Sequence, residues 1–106
     1  CGSCRQEHPT MVKVGKGGQK IVPIIGLDYK DKDADAMRFL RQGGDPYDFS
    51  IKDPTGEVGI NFGVYGVPET FVIDKKGVIR YKQIGPITPE AWDKKIHPLI
   101  NQLKAE

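Results

Sequence analysis

The sequence predicts a single α/β domain over residues 1–106, a mixed sheet flanked by helices, and three observations carry that prediction. Ile21-Val22-Pro23-Ile24-Ile25-Gly26-Leu27 is a nearly continuous apolar, β-branched run, the pattern of a strand buried on both faces. Residues with helical apolar spacing stand on either side of it, and alternation of helix and strand favours parallel pairing through right-handed crossovers. Farther along, Glu69-Thr70-Phe71-Val72-Ile73-Asp74 and Val78-Ile79-Arg80-Tyr81-Lys82-Gln83 flank Lys75-Lys76-Gly77. This reads as an antiparallel hairpin with Gly77 free to take a positive φ. A chain of 106 residues with 38% hydrophobic content can bury one core and is short for two.

Taken in order, residues 1 to 14 are expected to be helical. Glu7 falls in an early turn, Pro9 is expected to kink the helix, and Met11, Val12 and Val14 supply apolar contacts. Gly15-Lys16-Gly17-Gly18 ends it. Within the strand run, Pro23 argues for a strand start or an irregularity, because it cannot donate to a ladder. Asp31 or Asp33 can cap the second helix, which places Ala36, Met37 and Leu40 at helical spacing and closes at Gly43-Gly44. From Asp45 to Gly66 the chain is rich in Gly, Pro and Asp. Asp53-Pro54-Thr55-Gly56 is a strong turn signal there, with room for short strand and helix pieces around it. Thr88 can cap a last helix with Pro89 at its first position and Glu90 beside the positive end of the dipole. Its apolar stripe is Trp92, Ile96, Leu99, Ile100 and Leu103, with Trp92 read as core and Pro98 expected to kink the helix near its middle.

Net charge is +2, with both signs interleaved throughout. No basic stripe points to nucleic acid or an anionic membrane, and the charges are read as solvating the surface. No apolar run approaches the roughly 20 residues that span a bilayer. The chemistry-bearing feature is Cys1-Gly2-Ser3-Cys4, which holds the only two cysteines. Two thiols so spaced at a helix start can close a small ring and reopen it, and the helix N-terminus favours thiolate over thiol. A structural staple competes with this switchable disulfide, but loop-entropy stabilisation grows with loop length and this ring is tiny. Zinc would call for four ligands, whereas His8 and His97 stand far apart in sequence. Covalent haem attachment would place His directly after the second cysteine, where Arg5 stands. No metal and no cofactor beyond the Cys1-Cys4 pair is expected.

Helix, strand, helix, hairpin and helix, with Cys-x-x-Cys on the first helix, is the order of a thioredoxin-like domain entered after its first essential strand. In such proteins a cis-proline precedes the penultimate strand and packs against the disulfide. Val67-Pro68, directly before Glu69 to Ile73, stands in that place; the competing reading is a trans proline at a strand start. The resemblance narrows to the CcmG/DsbE group of cytochrome c maturation. The segments that carry it are Cys1-x-x-Cys4-Arg5-Gln6-Glu7-His8-Pro9, Gly26-Leu27-Asp28-Tyr29-Lys30-Asp31, Asn61-Phe62-Gly63-Val64-Tyr65-Gly66-Val67-Pro68-Glu69-Thr70-Phe71, and Ile79-Arg80-Tyr81 followed by Gly85-Pro86.

This resemblance implies a periplasmic reductant tethered to the inner membrane, which keeps the haem-binding cysteines of apocytochrome c reduced. A membrane donor of the DsbD or CcdA type would recharge it. Cys1 is then the attacking thiolate and Cys4 the resolving thiol. Pro68, with Val67, shapes the groove where a partner's backbone docks. Glu7, one helical turn after Cys4, can oppose thiolate formation, and Glu69 adds acidity beside Pro68; for each, a solvated surface charge is the alternative. Tyr29, Asp28 and Tyr65 are further candidates for the groove. A general thioredoxin-like reductase or oxidant, and a module that holds a cysteine-bearing apoprotein without turnover, are the rival functions. The chain departs from the group at its start, where the usual tryptophan, the strand leading into the motif and any anchor are missing. A sheet without that strand leaves two edges unpaired, so the strand belongs either to a longer natural chain, with a tethering N-terminal segment, or to a partner chain; the first is the expectation.

Overall fold

A computed structural model of the chain describes residues 2–16, 21–29, 33–64, 66 and 68–106. The element order is α1 (Gly2–Lys16), β1 (Ile25–Tyr29), α2 (Asp33–Gly43), β2 (Phe49–Asp53), α3 (Glu57–Asn61), β3 (Glu69–Ile73), β4 (Ile79–Ile84), α4 (Pro89–Ala91), a π-helical stretch Trp92–Ile96, and α5 (His97–Lys104). The alternation of helices and strands is that of the expected α/β class. The described strands pair as two ladders, β1 with β2 in parallel and β3 with β4 in antiparallel. The chain divides into two compact units, one formed by Cys1–Thr10 with Gly66–Glu106 and the other by Met11–Tyr65.

In the first unit the hairpin follows the sequence closely. Gly77 takes φ of 82°, and the Asp74 carboxylate accepts hydrogen bonds from the N–H groups of Lys76 (2.9 Å) and Val78 (3.0 Å), so one aspartate organises the turn. A register irregularity lies between Val72 and Ile73, the local disruption that a bulge introduces. At the start of α4 the Thr88 hydroxyl accepts from Ala91 N–H at 3.0 Å, and Pro89 occupies the first turn as its composition predicts.

The last helix departs from expectation in how it accommodates Pro98. Just before that residue the backbone widens into a π-helical stretch at Trp92–Ile96, where His97 N–H bonds to Trp92 O, and the α-helix restarts at His97. Pro98 thereby falls in the first turn of α5, where its missing N–H leaves no bond unmade. Trp92, Ile96, Ile100 and Leu103 are all buried, as the apolar stripe requires, and Ile87 joins them. The Trp92 and His97 rings stack with centroids 5.5 Å apart.

In the second unit β1 begins four residues later than the apolar run does. Pro23 cannot donate to a ladder, and pairing starts beyond it. Ile24 opens it, donating its N–H to Asp48 Oδ2 at 2.7 Å and accepting at its carbonyl from Asp48 N–H at 2.7 Å. The expected burial on both faces is not seen along the whole run: on β1 Ile25 is exposed, Gly26 buried and Leu27 half-buried. The Gly- and Pro-rich stretch resolves into β2 and α3, joined by Asp53. This buried carboxylate accepts from Val58 N–H (3.2 Å) and Gly59 N–H (2.9 Å), closing the first turn of a five-residue helix. Asp31 lies outside the described residues, and α2 starts at Asp33.

Candidate functional site

Cys4 sits in the first turn of α1, half-buried and in a disulfide. The sequence contains one other cysteine, Cys1, which lies outside the described residues, and no described cysteine is free. No acidic residue occupies the first turn of this helix, so the positive end of its dipole is left to act on the sulfur.

One turn on, Glu7 is half-buried on the side of α1 that the i, i+3 spacing shares with Cys4. Its Oε2 accepts a hydrogen bond from Ile87 N–H at 2.9 Å. Burial pushes the Glu7 carboxyl above its ordinary range, against the pull of the Ile87 N–H and of neighbouring His8. His8 is buried at 6% exposure.

Pro68 is buried immediately before β3, and its carbonyl accepts from Gly85 N–H at 3.1 Å, extending the hairpin ladder by one bond. The Val67 half of the expected cis bond lies outside the described residues. Glu69 opens β3 with a side chain only 4% exposed. Its Oε1 meets Lys82 Nζ at 2.9 Å, and its Oε2 accepts a longer hydrogen bond, 3.4 Å, from Gly66 N–H. Its charge is thus matched within the hairpin. Lys82 also lies over the Phe71 ring, 5.5 Å from its centroid. Sequence reasoning passed over Lys82, since the signal was a cation two positions short of directly opposite Glu69, visible only once the register was known.

Cys4, Glu7, Pro68 and Glu69 accordingly fall in one compact unit. Asp28 and Tyr29 lie on β1 of the other unit, where Asp28 stands opposite Lys52 in the parallel register. Tyr65 is outside the described residues. Among the described residues no three His, Cys, Asp or Glu side chains are grouped so as to hold a metal ion. No described helix is long and apolar enough to cross a membrane.

The redoxin family model matches residues 1–97. The chain is 45% identical over 103 residues to the thiol:disulfide interchange protein DsbE of Pasteurella multocida, covering 97% of this chain and 55% of that one. It is 38% identical to the Escherichia coli protein of the same name, covering 100% and 56%. A solved structure assigned as a thiol:disulfide interchange protein DsbE from Chlorobium tepidum superposes with a TM-score of 0.72 at 32% identity, over 96% of this chain and 70% of that one. The chain belongs to the redoxin family, with the DsbE-type proteins. The family expected from the Cys-x-x-Cys and Gly-Val-Tyr-Gly-Val-Pro-Glu-Thr-Phe segments is the one found, and with it the thioredoxin-like fold. This redoxin spans about half the length of the curated relatives it matches.

Proposed function

We propose that this redoxin is a thiol:disulfide oxidoreductase that works as a reductant, with Cys1 and Cys4 as its dithiol. The observation that carries the reading is Cys4 in a disulfide at the first turn of α1, in the same unit as buried Pro68. In the reduced form the Cys1 thiolate attacks one sulfur of a substrate disulfide, forming a mixed disulfide and releasing one substrate thiolate. The Cys4 sulfur, as thiolate, then attacks Cys1, closing the Cys1-Cys4 disulfide and releasing the second substrate thiolate. Two electrons pass to the substrate, and a dithiol donor must return them before another cycle.

On the resemblance, Pro68 with Val67 shapes the groove where a partner's backbone docks. Glu7, held one turn from Cys4 and partly desolvated, disfavours a second negative charge nearby and so raises the pKa of the attacking thiol. A thiol made less acidic leaves a disulfide less readily, which favours the oxidised pair and suits a reductant. On the resemblance to DsbE-type proteins, the substrate is apocytochrome c with its haem-binding cysteines oxidised. The donor is a membrane protein of the DsbD or CcdA type, and the working compartment is the periplasm, with a tether to the inner membrane.

Trapping tests this reading. Cys4→Ser should accumulate a mixed disulfide with an oxidised peptide of the Cys-x-x-Cys-His type, and Cys1→Ser should reduce nothing. Absence of any trapped species with Cys4→Ser would remove the assignment.

A further inference from the structure

The acidic residue beside Pro68 is not displayed to a partner. It is buried and held from the neighbouring strand. Glu69 and Lys82 face each other diagonally across the β3 and β4 ladder, in which Glu69 stands opposite Ile84 and Phe71 opposite Lys82. The lysine reaches over Phe71 to bring Nζ to 2.9 Å from Glu69 Oε1, while the other carboxylate oxygen turns back to the N–H of Gly66. Gly85 N–H on the Pro68 carbonyl is the second link from the β4 side to the same turn. With only 4% of its side chain exposed, the Glu69 charge is poorly solvated, and losing Lys82 would remove the cation that meets it at 2.9 Å.

We infer that Lys82 is a positioning residue for substrate docking: through Glu69 it holds Gly66 and Glu69, and with them the place of Pro68 in the groove that receives a protein substrate. The inference rests on the oxidoreductase reading for its consequence but not for its geometry. Lys82 does not touch the sulfurs in this role, so it governs binding of a substrate that has a peptide backbone. A small aromatic disulfide such as 5,5′-dithiobis(2-nitrobenzoate) has no backbone to dock and is indifferent to it.

The test uses the reduced full chain with an oxidised Cys-x-x-Cys-His peptide and, in parallel, the small disulfide. Lys82→Met should raise KM for the peptide about tenfold while kcat and the rate with the small disulfide stay within about twofold. Lys82→Arg keeps the charge and should return KM to within about twofold of the parent. An unchanged peptide KM in folded Lys82→Met overturns the inference. So does an equal loss on both substrates that Lys82→Arg does not repair. Should Lys82→Met fail to fold, the double variant Lys82→Met/Glu69→Gln removes the buried charge along with its partner; a raised peptide KM supports the inference and a parental KM overturns it. If the parent reduces the small disulfide but not the peptide, the substrate reading fails on its own. Amide exchange then decides the positioning: faster exchange at Gly66 and Gly85 in Lys82→Met, reversed in Lys82→Arg, supports it, and unchanged exchange overturns it.

Discussion

The Glu7 carboxylate accepts the backbone N–H of Ile87 at 2.9 Å, across eighty residues of sequence. One bond therefore ties the helix that carries Cys4 to the segment between β4 and α4. Because the same carboxyl is partly desolvated, this tie holds the acid where its charge is costly.

Glu7→Gln separates the two effects. The amide oxygen can still accept from Ile87, while the charge is gone. Burial, the largest influence, holds the folded carboxyl above its ordinary value of 4.5. The folded state then binds more protons than the unfolded one between those two values, so stability falls as pH rises through that window and levels above it. Glu7→Gln should lose this component: its stability relative to the parent should grow from pH 4.5 upward, read by urea unfolding at a series of pH values. Parallel curves would refute the placement. In the reduced protein the same substitution should lower the pKa of the more reactive thiol, followed by thiolate absorbance; no downward movement would take Glu7 out of the site.

Asp53 performs a structural task that no redox reading assigns. It is 3% exposed and satisfies two N–H groups at the start of α3, Val58 and Gly59. Asp53→Ala should cost about 2 kcal/mol, since it deletes charge-assisted bonds and leaves both donors unmet, whereas Asp53→Asn keeps one acceptor and should cost about half as much. Chemical denaturation midpoints at constant slope would show the order, and equal losses for the two would contradict it.

Thr88 makes a simpler cap. Its hydroxyl accepts from Ala91 N–H at 3.0 Å, and the residue is exposed, so nothing but the cap is lost on truncation. Thr88→Ala should destabilise by about 1 kcal/mol and Thr88→Ser by a few tenths. A thermal midpoint for Thr88→Ala equal to the parent's would show that the cap contributes nothing.

How far the sequence could be read follows from where each partner lies. The hairpin strands came within about one residue because Gly77 and the alternating strand pattern are local signals. The Thr88-Pro89 helix start is local too. β2 and α3 were not delimited, because each is five residues long and β2 is exposed over its first four, leaving neither periodicity nor burial to read. Glu7 and Glu69 were legible as acids near the motif, but not the half-burial of the one or the buried carboxylate of the other. What buries and pairs them, the Ile87 N–H and the Lys82 ammonium, is set by tertiary placement, which carries no periodic signature. The π-helical stretch was hidden for a related reason: Pro98 signals a broken ladder without saying whether the chain bends or widens to absorb it.

Gly15 presents two opposing effects that magnitudes decide. It lies in the last turns of α1, where replacing glycine by alanine ordinarily favours the helix by about 1 kcal/mol. Here an added Cβ would overlap the Pro46 carbonyl oxygen and stand 3.0 Å from both the carbonyl carbon and Cα of that buried proline. Those are backbone atoms of a ring-constrained residue and cannot rotate away as the end of a side chain would. Overpacking of this kind costs about 1 to 3 kcal/mol, so the steric effect outweighs the propensity gain and Gly15→Ala should be net destabilising. Gly2 provides the control, being in the same helix with nothing within 4 Å of its added Cβ, and Gly2→Ala should be tolerated. Thermal unfolding of the two variants side by side would decide: a Gly15→Ala midpoint at or above that of Gly2→Ala would mean that the contact with Pro46 yields.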